Sequence, residues 1–181
     1  MNIIEIILNA LKLIISVDPK LYEIIYLSLK VSLTALFFSS IVAIIAAYFL
    51  AIKNFYLKNT ILIIINSFMG IPPVVVGLLV YFLFAHGGPL GALKLLYTPS
   101  AMIVAQTIII FPIVASLSHE IFSQNWIQFK DQFRSLNIPF FGIIKILTIH
   151  SYFLLITVLL SAFGRAISEV GAVMIVGGNI D

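Results

Sequence analysis

Apolar positions run almost unbroken along this chain, and the few polar ones divide it. Lys, Arg, Asp and Glu are all absent from Val31 to Ile52, from Asn59 to Leu93, from Leu95 to His119 and from Ile146 to Gly164. A helix rising 1.5 Å per residue crosses a hydrocarbon core of about 30 Å in about 20 residues, so the pattern predicts four spans. The second window is too long for one helix and breaks at Gly87, Gly88 and Pro89. Span one then covers about Ile24 to Ala51, span two Thr60 to Phe84, span three Ser100 to Ile121 and span four Ile143 to Phe163. Residues 1–17 differ. Asn2, Glu5, Asn9, Lys12 and Ser16 recur every three or four positions among isoleucines and leucines, which predicts an amphipathic helix lying at the membrane surface. Asp18-Pro19 turns the chain into the first span.

Composition agrees with that reading. Of 181 residues 62% are apolar and 9% charged, and the mean hydropathy is +1.19, whereas a soluble domain carries about 25% charged residues. The fold class expected is an all-α, polytopic membrane protein. Without cysteine, neither a disulfide framework nor a thiolate metal site is available. The net charge of +3 is spread over ten scattered Lys and Arg residues, too sparse for a nucleic-acid or polybasic lipid patch. Lys53, Lys58, Lys130, Arg134 and Lys145 fall on one side of the membrane, and Lys12, Lys20, Lys30, Lys94 and Arg165 on the other, so the count leaves orientation open.

Within the spans, Pro72, Pro73 and Pro112 stand out. Each removes an N–H and displaces the carbonyl four residues earlier, freeing those of Phe68, Met69 and Ile108. The doubled proline between Gly70 and Gly77 points to a pathway-lining or hinge role, while Pro112 reads equally as a pathway element or a packed kink. Asn66 and Gln106 are costly to bury and are candidates to face water inside the bundle; the serines and threonines read as helix contacts. No Lys, Arg or His falls at the expected midplane of any span, so an anion would meet only dipoles there. His86, His119 and His150 lack partners at ligand spacing, and no metal site is expected. Tyr22, Tyr26, Tyr48, Tyr56, Tyr97, Tyr152 and Trp126 fall near span boundaries, as an aromatic belt would. No phosphate loop, nucleophile elbow or zinc helix occurs, so the sequence predicts neither an enzyme nor a cofactor.

The polar segment SQNWIQFKDQFRSLNIPFFGIIK has helical periodicity, with Ile127, Phe129 or Lys130, Phe133 and Leu136 on one side. It resembles the coupling loop of ABC importer permeases, E-A-A, three residues, G, nine residues, I-x-L-P. Asp131 takes the Glu position, Asn137 the Gly, Leu147 and Ile149 the two apolar positions and His150 the Pro; Gln132 and Phe133 replace the alanines. Asn is the second choice after Gly where a helix ends with φ > 0, and Pro139 blocks resumption of the helix at Ile138. Further along, DPKLYEIIYLSLKVSLTA, MGIPPVVVGLLVYFLF, GPLGALKLLYTPSAMIVAQ and FGRAISEVGAVMIVGGNI resemble successive blocks of the permease subunits of tungstate-uptake ABC transporters, within an oxyanion group that includes molybdate and sulfate permeases.

The resemblance implies a type I ABC importer transmembrane fold over residues 18–181, with a coupling loop at about 123–142 and one more span than this chain contains. It implies a second permease copy, a cytoplasmic ATPase subunit and an extracytoplasmic oxyanion-binding protein as partners, in the cell membrane. The coupling loop then faces the cytoplasm and the N-terminus lies outside. Asp131, Arg134, Ser135, Leu136 and Asn137 are expected to contact the ATPase, and Asn66, Gly70, Pro72, Pro73, Gly77, Gln106 and Pro112 to line or gate the pathway. In GRAISEVGAVMIVGGN, Arg165 and Glu169 are spaced to pair on one helix face. About 30 Å from Lys145 along a straight span four, they are expected at the outer mouth with Gly171, Gly177, Gly178 and Asn179. A passive channel or a non-transporting scaffold are the alternatives of another class, and neither accounts for the coupling-loop spacing.

Overall fold

The computed structural model describes residues 19–178. The expected surface helix at 1–17 and Asn179 of the expected outer mouth lie outside the described residues. All regular structure among the described residues is helical: α1 (Pro19–Ile52), α2 (Lys58–Phe68), α3 (Pro73–Phe84), a short 3-10 turn (Gly91–Leu93), α4 (Pro99–Ser135), α5 (Phe140–His150), α6 (Tyr152–Ser168) and α7 (Gly171–Gly177). Two helices, α1 and α4, are each long and apolar enough to cross a membrane, and the bent pairs α2–α3 and α5–α6 bring the number to four if each pair counts as one span.

The long helices α1 and α4 lie against each other because both carry small residues along the contact. Ser32, Ala35, Ser39, Ala43 and Ala47 of α1 and Ala101, Ala105, Ala115 and Ser118 of α4 are all buried, letting the backbones approach closely where no hydrophobic effect drives association. The other face of α1, with Phe37, Ile41, Ile45 and Phe49, is exposed and suited to lipid. Three groups of buried side chains fill the bundle. Val76, Val80 and Phe84 of α3 pack with Met102 of α4 and Ala172 and Val176 of α7. Ala43, Ile110, Val114, Val158 and Ala162 join α1, α4 and α6. At the far end Tyr48, Phe122, Phe133, Ile143 and Leu147 join α1, α4 and α5.

The structure sharpens one expectation, the interruption at Pro72 and Pro73, and corrects others. In span two, α2 and α3 meet at 102° across residues 69–72. Pro72 is extended and Pro73 opens α3, a position where a missing N–H has no consequence, while the Phe68 carbonyl accepts the Ile71 N–H in a tighter turn. The helix of span three does not stop at Ile121: α4 continues through the polar segment to Ser135 as one helix of 37 residues, with Pro112 buried inside it. Its exposed periodicity differs too: Phe133 is buried but Ile127 and Leu136 are 65% and 71% exposed, and the packed seam is instead Trp126, Phe129 and Phe133. Span four bends by 72° at Ser151. No proline acts there; the buried Ser151 hydroxyl accepts the Asn125 side-chain amide at 2.6 Å, tying the corner to α4. Tyr48, finally, is no boundary anchor. It is buried, stacks on Phe122 with ring centroids 3.9 Å apart, and bonds the Thr148 hydroxyl.

Candidate functional site

The elbow between α4 and α5 is built by local chemistry. The N–H of Ile138 donates to the Phe133 carbonyl and that of Asn137 to the Arg134 carbonyl, the pair of bonds that closes a helix when the residue after the cap is left-handed. Asn137 supplies that conformation at φ 49, as expected for the residue standing where the resemblance puts glycine. Ile138 packs back with Phe133, and Pro139 then caps α5 in an extended conformation. Asp131, Arg134, Ser135, Leu136 and Asn137 are all exposed around this turn. Arg134 and Asn137 border a surface groove of about 430 Å³ floored by Trp126, Phe133, Ile138 and Ile143. Beyond the turn Phe141 is 82% exposed. The break at Ser151 directly follows His150, the position that takes proline in the coupling-loop pattern, so the corner is present without the proline.

The residues expected along the pathway fall in several places, with Pro112 buried inside α4. Gly70, Pro72 and Pro73 form the α2–α3 break, and Asn66 just before it accepts the Ser116 hydroxyl of α4 at 2.5 Å. Gly77 is buried where α3 crosses α7: a Cβ there would lie 2.9 Å from the Ala172 Cα. Gln106, 4% exposed, donates its side-chain amide to the Ala166 carbonyl at 3.0 Å, and its Oε1 has no partner among the described residues. That bond also fixes the level of α6 against α4.

Arg165 and Glu169 do pair, with Nε and Oε1 2.6 Å apart. Their setting differs from the expected one. Glu169 has left the helix, with φ −83 and ψ 97, so the pair bridges the junction of α6 and α7. Because span four is bent, the distance from Lys145 is no measure of depth. The Gln106–Ala166 bond puts Arg165 level with the middle of the uncharged stretch Leu95–His119. Gly171 faces Val74, and Gly177 faces Met102 so closely that a Cβ would meet its Cε at 1.9 Å. Gly178, at φ 64, backs onto the Tyr97 ring.

Sequence reasoning missed three elements of this arrangement. The Tyr48–Phe122 stack and the Asn125–Ser151 bond both anchor the elbow. Tyr97, itself at φ 62, donates its backbone N–H to the Val176 carbonyl and so joins the loop after α3 to α7. Only the second left a local trace: Ser151 directly follows His150, the position that takes proline in the coupling-loop pattern.

No family model matches the chain. It is 39% identical over 171 residues to the tungstate uptake system permease protein TupB of Peptoclostridium acidaminophilum, covering 94% of this chain and 75% of that protein. With the probable anion ABC transporter permease protein of Haloferax volcanii it shares 37% identity over 160 residues, 88% of this chain and 69% of the relative. The TupB permease of Campylobacter jejuni is 38% identical over 128 residues, 70% of this chain and 53% of that protein. With an apolar bundle, a helix-capping elbow at the coupling-loop position and relatives of this extent, the chain belongs to the anion-uptake permease family of ABC transporters.

Proposed function

We propose that this chain is the membrane-spanning subunit of an ATP-driven importer of tungstate, built on the type I importer plan. The observation that carries the substrate is the 39% identity to a tungstate uptake permease over 94% of the chain. The Haloferax relative supports only the wider class of anions, so molybdate and sulfate, which are tetrahedral dianions too, are the competing cargoes. ATP hydrolysis belongs to a separate cytoplasmic subunit seated on the elbow, where Asp131, Arg134, Ser135, Leu136 and Asn137 meet it and the exposed Leu136 and Phe141 give it an apolar foothold. That arrangement puts the elbow inside and the N-terminus outside. A second copy of the chain completes the pathway, with the α2–α3 break, Gly77, Gln106 and Pro112 along it. An oxyanion-binding protein docks over the outer mouth formed by Gly171, Gly177 and Gly178 with Tyr97 beside them.

The test is uptake by proteoliposomes containing the permease, its ATPase and its binding protein. ATP-dependent accumulation of tungstate, outcompeting molybdate and sulfate, is the expected result. Entry of tungstate that proceeds to equilibrium without ATP would identify a passive channel and overturn the proposal. In the same assay, Arg134→Glu is expected to leave basal ATP hydrolysis intact while abolishing its stimulation by the loaded binding protein; full stimulation would remove the elbow from the coupling route.

A further inference from the structure

Arg165 and Glu169, paired with each other, each line a different cavity. Glu169, whose side chain is 10% exposed, lines a cavity of about 280 Å³ that also holds Gln106 and Gly178. Arg165 lines a second, of about 100 Å³, between the α2–α3 break and α4, with Phe68, Met69, Ile108 and Ile113. The smaller cavity has room for a small polyatomic ion, and Arg165 is the charged group on its otherwise apolar wall. The Arg165 side chain is 42% exposed at the level of Gln106, midway along the uncharged part of α4. An ionised side chain at that depth faces an aqueous passage or protein, not lipid. Among the described residues the only carboxylate it meets is Glu169.

Resting on the import reading, we infer that this pair is an anion-exchange gate: Glu169 occupies the Arg165 guanidinium at rest, and a tetrahedral oxyanion takes its place during transit. Carboxylate and oxyanion both accept from the planar N–H fork of an arginine, so they compete for the same donors. A permanently free guanidinium in this setting would hold a dianion too firmly to release it, whereas conduction needs a site that an ion can also leave. Glu169 solves this as a tethered rival. It sits off the end of α6 in extended backbone, two residues before Gly171 starts α7, and can therefore swing away without unwinding a helix. Exchange makes and breaks no covalent bond.

The experiment is equilibrium binding of radiolabelled tungstate to the purified complex of full-length permease and ATPase, with the binding protein omitted. Glu169→Gln removes the rival and is expected to tighten binding about tenfold or more, Arg165→Lys to weaken it and Arg165→Gln to eliminate it. Unchanged affinity in Glu169→Gln overturns the inference. Wild-type protein gives an independent answer if that variant does not fold. The chain has two arginines, Arg134 and Arg165, and tungstate is expected to protect Arg165 but not Arg134 from phenylglyoxal, read by mass spectrometry. Equal labelling of Arg165 with and without tungstate counts against the gate. If the wild-type transporter imports no tungstate, the import reading fails; if it imports tungstate while neither affinity nor labelling responds, the exchange gate alone fails.

Discussion

Gly77 sets how closely α3 and α7 approach where they cross. A Cβ added there would lie 2.9 Å from the Cα and 3.2 Å from the carbonyl oxygen of Ala172, against about 3.5–4.0 Å for an unstrained carbon contact. Both atoms are backbone, so relief requires α7 to move. Gly164 in α6 supplies the control, because a Cβ there meets nothing within 4 Å. Alanine gains about 0.5–1 kcal/mol over glycine inside a helix at either position, and that gain cancels when the two variants are compared. What remains is the overpacking cost of about 1–3 kcal/mol. At about 2–4 °C per kcal/mol for a domain of this size, Gly77→Ala should melt roughly 2–12 °C below Gly164→Ala. The assay is thermal unfolding of the detergent-purified complex, followed by fluorescence-detected size exclusion. Gly177→Ala should fall between them, since its clash is with the flexible end of Met102. Equal melting of Gly77→Ala and Gly164→Ala would refute the close-packed crossing.

Two further substitutions test the elbow. Asn137→Gly should preserve both stability and ATPase stimulation, whereas Asn137→Val, forced to φ 49, should lose about 1–2 kcal/mol and reduce stimulation; thermal unfolding and ATPase assays read the two effects. Asn125→Ala leaves the Ser151 hydroxyl, 1% exposed, without its partner, and should cost about 1–3 kcal/mol by the same unfolding measurement, with Asn125→Gln recovering little because the longer side chain does not fit the 2.6 Å geometry.

Features governed by neighbouring residues were legible in the sequence. Asn137 was readable because only glycine and asparagine commonly end a helix with positive φ, and Pro139 forbids the helix to resume. The Arg165–Glu169 pair followed from spacing alone. Pro72 and Pro73 marked where the backbone must be interrupted, but not the 102° between α2 and α3; that angle depends on where α3 finds Ala172 and Val176, almost a hundred residues later in the chain. The periodicity of residues 123–135 announced a helix, but not that it continues α4 without a break, because a helix leaving the apolar layer changes its composition without changing its backbone. The bend at Ser151 left no local signal beyond the family pattern. It is held by Asn125, a partner 26 residues away, and it sets the level at which Arg165 stands against α4.

The bend at Ser151 also shows how the parts are mechanically linked. The helix α4 reaches from the loop carrying Tyr97 to the elbow as one piece, and Pro112 is buried within it without interrupting it. Three contacts hang from this rod: Phe122 and Phe133 with Tyr48 and Leu147 at the elbow, Asn125 with Ser151 at the corner, and Gln106 with Ala166 beside the ion pair. The interruptions lie outside it, at residues 69–72, at Ser151 and at the α6–α7 junction. A force applied at the elbow would therefore travel along α4 with little loss and be taken up at those three joints. Two of them adjoin Arg165: the α2–α3 break shares its cavity, and the α6–α7 junction carries Glu169. If an ATPase pulls on the elbow, the place where the bundle yields is the place where the guanidinium can change partners.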